Sequence, residues 1–225
     1  MNMQKSDLID FSPVRIFETA ANGELKTGEM GLVTSKKGLG KTSILVQFGI
    51  DSLIKDKGLI HVSFDQRSSN VIAWYDSVLS EVAKKKHIDL EEVADDIVRG
   101  RTILNFNQES FTLPKVVNTL KSLKEGGIKI GTIVVDGLFL GDTSKEDLET
   151  FASYVSAEKL TAWFSYTNEA AELEAQLPKE KLSLFATVAH VASNGSNLML
   201  NILKSNGELA EGSVKLDSKT MLMTK

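Results

Sequence analysis

Ser35-Lys36-Lys37-Gly38-Leu39-Gly40-Lys41-Thr42 is the stretch of this chain best suited to chemistry. An anion such as phosphate is held by consecutive main-chain N–H groups at the start of a helix, where the helix dipole also favours negative charge. Gly38 and Gly40 let the backbone fold tightly with no side chain in the way. Lys41 would neutralise the end of a phosphate chain, and the Thr42 hydroxyl would ligate Mg²⁺. The spacing is that of G-x-x-x-x-G-K-[ST], with Ser35 at the first glycine position. It also has the required context, since an apolar run (29–34) precedes it and an apolar helix begins at Ser43.

A phosphate loop needs an acid to hold its metal, usually at the end of a buried strand. Thr132-Ile133-Val134-Val135-Asp136 supplies one, and Asp136 is the expected second metal ligand beside Thr42. Hydrolysis would further require a group that orients water. Asp65, at the end of the apolar run 59–64, is the candidate for that role, with Gln66 beside it. Thr167 and Asn168 follow another apolar run (160–166) and are candidates to sense a terminal phosphate.

The elements that must position these groups alternate along the chain. Strands are expected at 29–34, 59–64, 101–106, 128–135 and 160–166. Between them lie helices at 43–56, from Ser68 or Ser69, from the capping-box sequence Asp89-Leu90-Glu91-Glu92 to about Val98, along the stripe Leu113, Val116, Val117, Leu120 and Leu123, and at 144–155. The helix after Ser68 places Val71, Trp74, Tyr75, Val78, Leu79 and Val82 on one apolar face. Short strands at 184–192, 197–204, 212–217 and 221–224 follow, joined by Asn-Gly turns at 194–195 and 206–207 that signal hairpins. The expected fold is α/β: a mainly parallel central sheet flanked by helices, with C-terminal antiparallel hairpins. Residues 1–225 read as one domain, with 1–21 as a lead-in segment.

Composition narrows the chemistry. With no cysteine, disulfides, thiolate zinc sites and cysteine nucleophiles are excluded. His61, His87 and His190 stand at no metal-ligand spacing. The net charge of −4 offers no general attraction to nucleic acid. The stretch 168–182 carries Glu169, Glu172, Glu174 and Glu180 against Lys179 and Lys181, which would repel a phosphate backbone. A nucleic-acid partner is therefore not expected. No secretory leader or membrane span is read from the sequence, which makes the cytoplasm the expected compartment.

The order phosphate loop, HVSFDQ, HIDLEEVADDIVRGRTILNF, KEGGIKIGTIVVDG, TAWFSYTNE and LMLNILKSNGEL resembles the KaiC branch of the RecA-type P-loop ATPases. The resemblance spans about residues 22–224, and its specific motifs are the phosphate loop and the IVVDG strand. It implies a RecA-like fold, ATP and Mg²⁺ as ligands, and often hexameric rings with ATP between neighbours. Residues 35–43 would then cradle the nucleotide, with Lys41 and Asp65 catalytic. The sequence departs from the family at three places. Ser35 replaces a glycine, Asp65-Gln66 replaces the paired acids that include the catalytic glutamate, and Lys204-Ser205-Asn206 replaces lysine-x-arginine. By that resemblance Lys204 carries over as a contact to a neighbour's nucleotide and the arginine does not, so with the shorter acid Asp65 turnover is expected to be weak or absent. Two other possibilities remain at this level. One is a nucleotide-gated scaffold without hydrolysis. The other is a ParA/MinD-type ATPase, suggested by Lys36-Lys37-Gly38-Leu39-Gly40-Lys41-Thr42.

Overall fold

A computed structural model describes residues 5–87, 89, 94–107, 109, 111–195 and 197–224. All described strands join one sheet. They are β1 (Met30–Ser35), β2 (Leu59–Ser63), β3 (Arg101–Asn105), β4 (Thr132–Asp136), β5 (Thr161–Thr167), β6 (Thr187–Asn194), β7 (Asn197–Ser205), β8 (Glu208–Leu209), β9 (Ser213–Leu216) and β10 (Met223–Thr224). Their order is β10-β9-β7-β6-β1-β5-β4-β2-β3, with β8 paired to β7. The six strands from β6 to β3 run parallel, and β7, β9 and β10 extend the sheet antiparallel.

The helices are α1 (Val14–Ala20), α2 (Lys41–Ile54), α3 (Ser68–Lys86), α4 (Ala94–Arg99), α5 (Leu113–Glu125), α6 (Lys145–Ala157) and α7 (Lys179–Leu182). They cover both faces, and the strands answer with alternating burial partners: Val33 belongs to the core under α1, α2 and α3, Leu32 to the core under α5 and α6. Helix α2 is buried almost all round, as its run of apolar residues requires. Among the described residues no helix is long and apolar enough to cross a membrane.

Several boundaries differ from the sequence expectation, each for a tertiary reason. Residues 128–131 do not extend β4, because the neighbouring β2 begins at Leu59, which pairs with Thr132. Likewise β6 starts at Thr187 rather than 184, opposite Gly31 of β1. The lead-in segment is itself structured: a 3-10 helix at Lys5–Phe11 leads to α1, whose Phe17 meets the stacked rings of Phe48 and Trp163 edge-on at 5.0 and 5.8 Å. Arg67, not a serine, is the N-cap of α3, and no side chain caps that end. Ser144 does cap α6, accepting from Asp147 N at 3.0 Å. Of the capping-box sequence, residues 90–92 lie outside the described residues. The Asn206-Gly207 turn has both residues in the left-handed region, as a two-residue hairpin loop requires.

Candidate functional site

Strand register brings the predicted polar residues together. Ser35 pairs with Thr167, Ser63 with Asp136, and Val135 with Phe164. The carboxyl ends of β1, β5, β4 and β2 therefore lie side by side, the edge at which parallel α/β sheets place their ligands. A cavity of about 770 Å³ opens there, floored by Lys41, Thr42, Asp65, Asp136 and Ser165.

The loop between β1 and α2 has the geometry of an anion cradle. Gly38 and Gly40 adopt φ of 83° and 76°, a region in which a side chain is strained. Gly40 is the N-cap of α2, and a Cβ there would lie 2.5 Å from Met221 Cε. The first N–H groups of α2 have no intrahelical acceptor and point out of the helix start. Ser35, by contrast, is buried and extended as the last residue of β1, so the glycine it replaces is not needed for conformation. Its hydroxyl receives Lys41 Nζ at 3.3 Å and donates to the Lys36 carbonyl.

Thr42 Oγ1 donates to Asp136 Oδ2 at 2.7 Å, and Ser165 Oγ donates to Asp136 Oδ1 at 2.5 Å. Ser165 also accepts from Gly137 N, fixing the backbone just beyond β4. Both Asp136 oxygens are thus engaged, one by a residue of α2 and one by a residue of the strand that separates β1 from β4. The Asp65 carboxyl packs against Gly137, so closely that a Cβ on Gly137 would collide with it. Burial, and then the neighbouring Asp136 charge, pushes the Asp65 carboxyl above its ordinary range. Burial lowers the Lys41 ammonium, while Asp136 and Asp65 oppose that shift.

A phosphate chain with a divalent cation fits this floor. The Ser43 hydroxyl is buried with no hydrogen-bond partner, at the turn of α2 where a phosphate oxygen would meet it. Thr42 and Asp136 would hold Mg²⁺, a cation that takes few protein ligands and completes its shell with phosphate and water.

The remaining predicted residues divide. Lys37, Gln66 and Thr167 line the cavity. The Lys36 side chain turns away to Glu169 at 3.8 Å, and Leu39 packs on the core of the α1–α3 face. Asn168 uses its amide to bond the carbonyls of Ala175 and Gln176, a loop role rather than a phosphate contact. Lys204 lies opposite Val188, which pairs with Leu32, three residues below the loop, and its ammonium donates to the Phe185 and Leu182 carbonyls. It takes no part in the cavity of its own chain.

Several lining residues escaped the sequence reading, among them Ser165, Trp74, Phe139 and Asp142. Ser165 looked like an ordinary strand residue. Trp74, placed on the apolar stripe of α3, is instead 42% exposed and lines the cavity. Phe139, 62% exposed, lines it from the loop after β4. A large aromatic just beyond Asp136-Gly137 was the signal available for Phe139. No protein-family model matches the chain, and a search of the curated proteins returns no match.

Proposed function

We propose that this protein binds Mg-ATP at residues 35–43, as a RecA/KaiC-like P-loop protein with weak ATPase activity and a regulatory or assembly role. The observation that carries the reading is the convergence of Lys41, Thr42 and Asp136 on one cavity, beneath a loop with two left-handed glycines. Lys41 would neutralise the terminal phosphates, and Mg²⁺ on Thr42 and Asp136 would supply charge to the phosphate oxygens. Asp65 would orient a water for attack on the γ-phosphorus. As the new P–O bond forms, the bond to the bridging oxygen breaks, ADP leaves, and the water's proton passes to Asp65 and then to solvent. An acid whose carboxyl is pushed up by burial suits that proton transfer.

Slow turnover is expected from Asp65-Gln66 standing where the family it resembles carries its paired acids, since a shorter acid gives less help to the attacking water. The antiparallel extension β7–β9–β10 favours the RecA/KaiC reading over a ParA/MinD-type ATPase. A nucleotide-gated scaffold without hydrolysis is the second reading, favoured by Gln66 standing where the family carries its second acid. Thermal melting with Mg-ATP tests binding: at 100 times its dissociation constant a ligand stabilises by about 2.7 kcal/mol. Absence of any shift at millimolar ATP, ADP, GTP and GDP would sink the proposal. Phosphate release separates the two readings. Slow, Lys41-dependent release is expected, well below the rate of about 1 s⁻¹ at the low end for enzymes.

A further inference from the structure

The terminal phosphate of a bound triphosphate would sit among Asp65, Asp136 and Asp142, with Lys41 and Lys37 as the cations lining the cavity. A lysine is a compact point charge, whereas a guanidinium offers a planar fork that matches two phosphate oxygens at once. The arginines of the chain are Arg15, Arg67, Arg99 and Arg101. Arg15 is held by both oxygens of Asp51 at 2.7 Å, between α1 and α2. Arg101 stacks over Tyr75 at 4.9 Å and pairs with Asp76 at 3.8 Å. Arg99 pairs with Asp96 at 3.2 Å on α4, beside the amino ends of β3 and β2, the edge of the sheet opposite the cavity.

Arg67 alone is unclaimed. It is exposed, and among the described residues its guanidinium has neither a carboxylate partner nor a hydrogen bond. It directly follows Asp65 and Gln66, both of which line the cavity. Its backbone is nevertheless fixed. Gln66 N donates to Ser63 Oγ at 3.1 Å, the Gln66 carbonyl accepts from the Asn105 amide, and the Arg67 carbonyl accepts from Asn70 N and Val71 N. Consecutive Cα atoms are about 3.8 Å apart, a step shorter than an arginine side chain, so Arg67 has the length to reach the cavity edge at Gln66.

We infer that Arg67 is the residue that grips the terminal phosphate of a nucleotide bound in its own chain, and so distinguishes tri- from diphosphate. The inference rests on the proposed Mg-ATP site.

Isothermal titration calorimetry of Mg-ATP and Mg-ADP against the full chain, Arg67→Ala and Arg67→Lys tests it. Arg67→Ala should weaken Mg-ATP at least tenfold, about 1.4 kcal/mol, leave Mg-ADP unchanged, and melt at the wild-type temperature without ligand. Arg67→Lys should fall between. Equal loss for both nucleotides, or loss for neither, overturns the inference while the nucleotide site stands. Recovery of Mg-ATP affinity on mixing Arg67→Ala with Lys41→Ala protein overturns it in favour of an arginine reaching a neighbouring copy. A wild-type chain that binds neither nucleotide removes both proposals together.

Discussion

Thr42 and Asp136 meet across an intervening strand: the hydroxyl at the start of α2 donates to the carboxylate at the end of β4 at 2.7 Å, while β5 runs between β1 and β4. The two expected metal ligands are therefore pre-positioned by the sheet, with Ser165 of β5 completing the contact.

Asp136→Asn should preserve the fold and abolish the Mg²⁺ dependence of ATP affinity. The amide retains an oxygen for Thr42 or Ser165 but loses the charge that holds the cation. Affinity in Mg²⁺ should fall at least tenfold, about 1.4 kcal/mol, to near the value in EDTA. Calorimetry with and without metal reads this directly, and an undiminished Mg²⁺ effect would refute the assigned ligand.

Lys41→Ala should remove the Mg-ATP thermal shift and any phosphate release. In the free protein Lys41 costs little to lose, because its 3.3 Å bond to the Ser35 hydroxyl is long and the attraction of Asp136 and Asp65 is opposed by the burial of its ammonium. The ligand-free stability should therefore stay within about 0.5 kcal/mol of wild type. A variant that melts as wild type yet still shifts with Mg-ATP would contradict the role given to this lysine.

Replacing Ser35 by glycine should not improve nucleotide binding. Ser35 is extended and paired on both sides within β1, so glycine there adds chain entropy to the unfolded state, costing about 0.5–1 kcal/mol, and gives up the hydroxyl's bonds to Lys41 and the Lys36 carbonyl. Urea unfolding should detect that loss, and calorimetry should find the ATP affinity no tighter. A marked gain in affinity would mean that the serine does distort the loop.

Stability should decline as pH falls below 6.5, because His61 is buried and uncharged. Burial, with a smaller effect from Arg101, lowers its imidazole from 6.5 to about 3. The folded state thus resists a proton that the unfolded chain accepts below pH 6.5. The full contribution is present above the unfolded value and is lost as pH falls toward the folded one, at up to about 1.4 kcal/mol per pH unit. Denaturant unfolding between pH 7.5 and 5 measures it, and His61→Gln should flatten the dependence over that window. An unchanged slope in the variant would assign the effect elsewhere.

Asp65→Asn should raise the melting temperature slightly while stopping turnover. Burial and Asp136 disfavour the ionised carboxylate, so the wild-type chain loses stability as pH rises through the elevated Asp65 value. An amide removes that repulsion. The gain should vanish at low pH, where Asp65 is protonated in both states, and a gain that persisted there would point to another cause.

The order of elements and the glycine-rich turn between β1 and α2 were legible because they are local. Gly38, Gly40, Lys41 and Thr42 act within one turn of chain, and β4 ends in its acid in the sequence itself. Helix α5 was readable too, since Leu113, Val116, Val117 and Leu120 bury on one face and Gly126-Gly127 ends it. Strand length was not local. Residues 128–131 carry strand-like side chains, yet β4 begins only where β2 offers it a partner. Trp74 fits the apolar period of α3 but overhangs the cavity, because the helix face is decided by where α3 crosses α2 and not by period alone. Asn168 has the right residue type for phosphate, but loop packing spends its amide on backbone carbonyls.

The sequence by itself therefore determined the glycine-rich turn from β1 into α2, since that depends on glycine placement and helix start within eight residues. Only the tertiary structure decided which side chains share the cavity. Ser165 reached Asp136, and Arg67 was left without a partner, through pairing of strands far apart in the chain. Such pairing depends on how the whole sheet fills its two cores, which no local spacing records.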